Sequence, residues 1–113
     1  MSKKWMVLTV IGLTLAGWLL SFGVQKPSVR PKIKIMTTVF PLLEFARAVA
    51  GERGEVSLLL PPGAEVHTWQ PSFGDVRKLA SLDAFIYIGS GLEPWAGDLL
   101  RGAGRPDLRL LEI

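Results

Sequence analysis

The segment AFIYI, residues 84–88, restricts the fold more than any other part of this chain. It is apolar at every position and lies between Asp83 and a Gly89-Ser90-Gly91 turn, so it is too short for a helix and lacks the alternation of a half-exposed strand. Such a run belongs to a strand covered on both faces, the usual state of a parallel sheet flanked by crossover helices. The neighbouring segments supply the rest of that architecture. Residues 32–38, KIKIMTT, alternate Lys and Ile as a first strand. Pro41 then opens a helix whose Leu42, Phe45, Ala46 and Val49 share one face, with Glu44 and Arg47 outside and Gly51 as a stop. Residues 56–60 read as a second strand closed by Pro61, Pro62 and Gly63.

A second helix starts at Ser72, where Asp75 three positions on completes a capping box, and continues through Val76, Leu79 and Ala80. A third, short helix is expected over 94–100, broken by Gly102, Gly104 and Pro106, and LRLLEI at 108–113 reads as a fourth strand cut off in mid-course. The order β-α-β-α-β-α-β predicts a partial doubly wound parallel sheet in the α/β class. In such sheets ligands gather beyond the carboxyl ends of the strands, where βα loops and helix amino-termini converge. Residues 37–40, 61–71 and 89–93 meet at that edge, and the middle one is about twice the usual βα loop length of roughly 2–6 residues.

That loop, PPGAEVHTWQP, holds the one histidine of the chain. His67 is a candidate ligand for a divalent metal, because a neutral imidazole suits zinc and similar transition ions and the flanking Pro and Gly stiffen the loop that carries it. Taken alone, a loop histidine also fits a surface or hydrogen-bonded role. Glu65 fits a second ligand, an acceptor behind the histidine, or a solvated loop carboxylate. Trp69 either walls the site from water or pins the loop. Glu93 reads as a charge at the start of the third helix, favourable to its dipole. Gly89-Ser90-Gly91 lacks the third glycine of a dinucleotide fingerprint and the lysine of a P-loop, so it reads as a tight turn. Trp95, Phe45 and Phe85 fall at core spacing. None of Ser57, Ser72, Ser81 and Ser90 sits in a G-x-S-x-G elbow, which leaves hydrolase chemistry without a partnered nucleophile and points away from an enzyme.

The charge distribution divides the chain. Residues 1–34 carry six basic side chains and no acid, whereas residues 35–113 carry seven basic and ten acidic ones, so a net +3 is a +6 head on a −3 body. A body of that sign does not favour nucleic acid. Within the head, residues 5–24 run without a charge behind Lys3 and Lys4, which reads as a cleaved export signal or an uncleaved membrane anchor. Ser21 and Gly23 place small residues at the −3 and −1 positions of a possible cut before Val24, while Lys26, Arg30, Lys32 and Lys34 resist translocation. Residues 25–32, with Pro27 and Pro31, form a linker, and residues 33–113 form the folded part. With no cysteine in the chain, disulfides, thiolate metal sites and a lipoprotein cut are all excluded.

The strings TTVFPLLEFARAVAGE, PPGAEVHTWQPS with DVRKL after it, and DAFIYIGSGLEPW resemble, in order and spacing, the amino-terminal lobe of the zinc and manganese solute-binding proteins of ABC importers. The resemblance covers residues 33–113. It implies an extracytoplasmic receptor, not an enzyme, with Zn²⁺ or Mn²⁺ as the transported ligand, an ABC permease as partner and a metal cleft between two α/β lobes. It places the family's first ligand histidine on His67, and puts Thr37, Thr38 and Phe40 beneath the metal as support. Val66 and Trp69 stand where many members have proline and tyrosine. The remaining ligands of the family lie beyond Ile113, so the chain is expected to be one incomplete lobe that binds metal weakly by itself. The alternative is a membrane-tethered interaction domain that has lost metal binding.

Overall fold

The computed structural model of the chain describes residue 3 and residues 30–113. The export signal or anchor expected over 1–24 and most of the 25–32 linker lie outside the described residues. Among those described, no helix is long and apolar enough to cross a membrane.

Four parallel strands, β1 (Ile33–Thr37), β2 (Gly54–Leu58), β3 (Ala84–Tyr87) and β4 (Arg109–Glu112), form one sheet in the order β2-β1-β3-β4. Registers are direct: Ile35 faces Val56 on one side and Ala84 on the other, and Phe85 faces Leu110. The chain moves outward from β1 to β2, then returns past β1 to β3, so the order reverses between β1 and β3. That reversal makes the sheet doubly wound and sets a crevice at the carboxyl ends of these two strands.

Alternation along β1 sorts the two faces. Met36 points to the side shared by Leu59, Phe85, Leu79, Leu82 and Leu108, and helices α2 (Phe73–Lys78) and α3 (Ala96–Ala103) close over this core through Val76, Ala96 and Leu99. Ile33 and Ile35 point the other way, toward α1 (Phe40–Ala50). Pro41 stands in the first turn of α1 as the sequence implies, and Gly104, at φ 59°, ends α3 in the left-handed conformation.

The α1 face departs from expectation. Leu42, Leu43 and Ala46 are buried, but Phe45 is 71% and Val49 85% exposed, so Phe45 is not a core residue. They border an apolar cleft of about 570 Å³ that also touches Ile86, Leu111 and Ile113. α1 packs mainly on β1 and β2, and toward β3 and β4 this side of the sheet is more open: Ile88 is 37% exposed instead of enclosed, and Leu111 53%. Two boundaries also move. Gly102 lies inside α3, which runs on to Ala103 and stops at Gly104. β2 begins at Gly54, and Leu59 continues the β1 ladder beyond it, its amide donating to Thr37 O at 2.8 Å.

One buried carboxyl group closes the crevice end of the sheet. Glu93 and Thr38 have no solvent exposure, and the Thr38 hydroxyl donates to Glu93 Oε1. The other oxygen accepts from the Ile88 amide at 3.1 Å and the Gly89 amide at 2.8 Å. Glu93 thus precedes α3 and ties the end of β3 to the end of β1, a role different from the helix-dipole role its position suggests. Glycine suits this place because a φ of 119° is a backbone conformation that L side chains rarely adopt.

The capping box is formed as expected. Asp75 N donates to Ser72 Oγ at 3.3 Å, the Ser72 amide donates to Asp75 Oδ2 at 2.9 Å, and Lys78 Nζ reaches Asp75 Oδ1 at 2.7 Å. Burial pushes the Asp75 carboxyl up, but Lys78 and the Ser72 hydroxyl and amide outweigh it and hold the group below its usual value.

Two predictions follow from these anchors. Glu93→Leu leaves the Ile88 and Gly89 amides and the Thr38 hydroxyl without their acceptor and lowers the free energy of unfolding by about 2–3 kcal/mol in urea denaturation; a loss below about 0.5 kcal/mol contradicts the anchor. Because Asp75 has a lower pKa folded than unfolded, its contribution is present above the ordinary aspartate value near 3.9 and is lost as the pH falls through the folded pKa. Asp75→Asn therefore costs stability at pH 7 and reduces the loss of stability on acidification; an unchanged acid limb contradicts this assignment.

Candidate functional site

The crevice edge is built from the ends of β1, β2 and β3. Thr37 and Thr38 are fully buried, and the ladder runs past the strands: Thr38 N donates to Ile86 O at 3.2 Å and Leu60 N to Thr38 O at 3.3 Å. The first residues of the long loop are therefore held against β1. Pro61-Pro62-Gly63-Ala64 then reverses the chain, with Ala64 N donating to Pro61 O at 3.1 Å and Gly63 at φ 79°. Proline followed by a positive-φ glycine is the residue pair a type II turn demands.

The next five residues close on themselves around the histidine. Trp69 N donates to Glu65 O at 3.0 Å, and Glu65 Oε2 accepts from Thr68 N at 2.9 Å and Thr68 Oγ1 at 3.0 Å. The His67 amide, followed by the Thr68 hydroxyl and amide, holds the exposed Glu65 carboxyl below its usual pKa against a smaller opposing effect of desolvation. Glu65 thus serves the turn that carries His67. The imidazole of His67 is on the exposed side, while Val66 and Trp69 on either side are half-buried and turn inward.

Across the crevice stands Trp95, only 3% exposed. Its Nε1 donates to Val66 O at 2.7 Å, and its ring meets Trp69 edge-on, with centroids 4.7 Å apart and planes at 76°. Trp69 therefore pins the loop. Its local sequence, with tryptophan two positions after histidine, leaves that choice open, because the partner lies at residue 95 in a different loop.

The site brings together Thr37, Thr38, Glu93 and the His67 loop, as their places at the ends of β1, β2 and β3 imply. Among the described residues, no group of three or more His, Cys, Asp or Glu side chains comes together. His67 offers one ring nitrogen, and a four-coordinate zinc ion would need three further donors. Three of the serine hydroxyls have backbone partners: Ser57 donates to Ile35 O, Ser81 donates to Lys78 O, and Ser72 accepts from Asp75 N as the cap of α2. The missed elements are the Glu93 anchor and the Trp95 hydrogen bond. Each joins residues far apart in sequence, at separations of 55 and 29 positions, and neither leaves a local pattern.

Comparison with known proteins agrees with this layout. The family described as zinc-uptake complex component A, periplasmic (ZnuA) matches residues 35–112. The high-affinity zinc uptake system protein ZnuA of Bacillus subtilis is 30% identical over 112 residues, covering 93% of this chain and 34% of that protein. The zinc-binding lipoprotein AdcA of Streptococcus pneumoniae serotype 4 is 39% identical over 69 residues, covering 61% of this chain and 14% of that protein. The crystal structure of the Zn(II)-bound ZnuA-like domain of AdcA from Streptococcus pneumoniae superposes with a TM-score of 0.64 at 33% identity, covering 72% of this chain and 30% of that one. The chain thus spans about a third or less of the length of these relatives. With its crossover order, its crevice and 78 consecutive residues matched, from 35 to 112, the chain belongs to the ZnuA family of periplasmic zinc-uptake components.

Proposed function

We propose that this chain takes part in the extracytoplasmic capture of a divalent transition metal, zinc or manganese, for delivery to an ABC importer, and that His67 is its metal ligand. The observation that carries the reading is the placing of the one histidine. It rides an exposed position of a turn closed by Glu65 and Thr68, at the carboxyl edge of the sheet where the strand order reverses. Neutral imidazole nitrogen is a good donor to zinc, and a turn fixed before binding loses little conformational freedom when the ion arrives. The family to which the chain belongs is a metal-transport component, which supports a carrier instead of a catalyst.

The site works by gathering ligands. A single imidazole fills one of the four positions that zinc usually takes, so affinity grows only as further donors meet the same ion. Those donors belong to the ligand set that the family resemblance places beyond Ile113. Because the ion competes with protons for the imidazole, binding releases protons and weakens toward acid pH. The protein acts on the outer side of the membrane, exported by the apolar head. The 113 residues contain no cysteine, so the lipid anchor implied by the name of the pneumococcal relative has no attachment point within them.

The test is a Zn²⁺ titration of the chain followed by NMR at pH 7.5, with wild type and His67→Ala in parallel. Wild type is expected to show saturable shifts centred on residues 65–69, and His67→Ala to lose them. Shifts of the same size and midpoint in the variant overturn the assignment of His67.

A further inference from the structure

We infer that Trp95 is a positioning residue for His67: its indole holds the metal-binding turn at the crevice through the Val66 carbonyl. The inference rests on the reading of His67 as the metal ligand. The turn at residues 65–69 is closed by its own hydrogen bonds, Trp69 N to Glu65 O and Thr68 to the Glu65 carboxyl. Such closure shapes the turn, but bonds within one exposed turn open readily unless the turn is also held against the sheet. Closure does not fix where the turn sits relative to the sheet, and ligands from elsewhere find the imidazole only if that place is fixed as well.

Trp95 supplies the second constraint. Its Nε1–H donates to Val66 O at 2.7 Å, directly before His67, and its ring packs edge-on against Trp69, two residues after it. One side chain thus grips the turn on both sides of the histidine and leaves the imidazole exposed. The grip is itself rigid. Trp95 is 3% exposed and belongs to the same core as Phe85 and Leu99, and it lies two residues from Glu93, whose carboxyl group ties the end of β3 to Thr38. The connection between β3 and α3 therefore locates both sides of the crevice. Indole suits this task because it joins a large buried surface to one directional donor, and phenylalanine at this position keeps the packing without the donor.

The experiment uses the full chain with Zn²⁺ as the probe. Trp95→Phe is compared with wild type, with His67→Ala, and with Leu108→Val, a core change away from the loop that lowers stability without touching the turn. Two quantities are read below the unfolding temperature: the Zn²⁺ midpoint in NMR titration, and the hydrogen-exchange rates of the Thr68 and Trp69 amides. Trp95→Phe is expected to weaken Zn²⁺ binding by about five- to tenfold, the effect of losing one net hydrogen bond that held the turn in its competent place. It should also speed exchange at Thr68 and Trp69 while β1 and β3 stay protected. Leu108→Val should lower the unfolding temperature and change neither quantity.

Loop exchange in Trp95→Phe equal to wild type overturns the positioning role, whatever the metal does. Loss of binding in His67→Ala with a wild-type midpoint in Trp95→Phe also overturns it, but leaves His67 as the ligand. Unchanged binding in His67→Ala overturns the metal reading instead, and the exchange rates then decide positioning alone. If Trp95→Phe does not fold, Trp69→Leu removes the edge-on contact from the exposed side and is expected to weaken Zn²⁺ binding about two- to fivefold with the same local rise in exchange; a wild-type result for both readouts overturns the inference.

Discussion

The contact between the Glu93 carboxyl group, the Thr38 hydroxyl and the amides of Ile88 and Gly89 is the constraint on which the crevice depends. Parallel strands are held together along their length by the sheet ladder, but beyond their carboxyl ends the chains separate into loops whose amides have no ladder partner. Here a buried acid takes those amides and, in the same step, reaches the neighbouring strand. The point where the strand order reverses is thereby tied across. Both neighbouring features follow from it: Gly89 takes a positive φ with its amide on the carboxyl group, and Trp95, two residues after Glu93, is delivered to the edge of the crevice.

The His67 loop combines two kinds of rigidity. Local hydrogen bonds shape the turn, with Glu65 acting as the acceptor at its base. Contacts with the opposite loop locate it, through Val66 and Trp69. A metal receptor gains from this separation, since the imidazole is displayed to solvent while its backbone is restrained. The apolar cleft beside α1, with Phe45 and Val49 on its rim, lies on the other face of the sheet and has no part in holding the loop.

Local signals account for much of the architecture. The capping box at Ser72 and Asp75 and Pro41 in the first turn of α1 appear as their residues imply, because each is decided by neighbours in sequence; the strand at 84–87 is also present, but only its Phe85 face is enclosed. The position of the histidine loop at the carboxyl edge follows from the β-α-β alternation. Phe45 was not legible in this way: periodicity shows which residues share a helix face, but not how far the opposing surface extends, and α1 overhangs a sheet face that is more open toward β3 and β4. Gly102 misleads because a helix tolerates a glycine near its end, and the actual stop is the left-handed Gly104 two residues on. The sequence marks Glu93 and Trp95 but not their roles, because their partners, Thr38 and Val66, are brought near only by the finished fold.

X-ray absorption at the zinc K-edge of the Zn²⁺-loaded chain tests the central claim most directly, because it reads the atoms that touch the metal. The account predicts a nitrogen at about 2.0–2.1 Å together with the outer-shell scattering of an imidazole ring, and with one histidine in the chain that ring is His67. A first shell of oxygen with no imidazole scattering would contradict it.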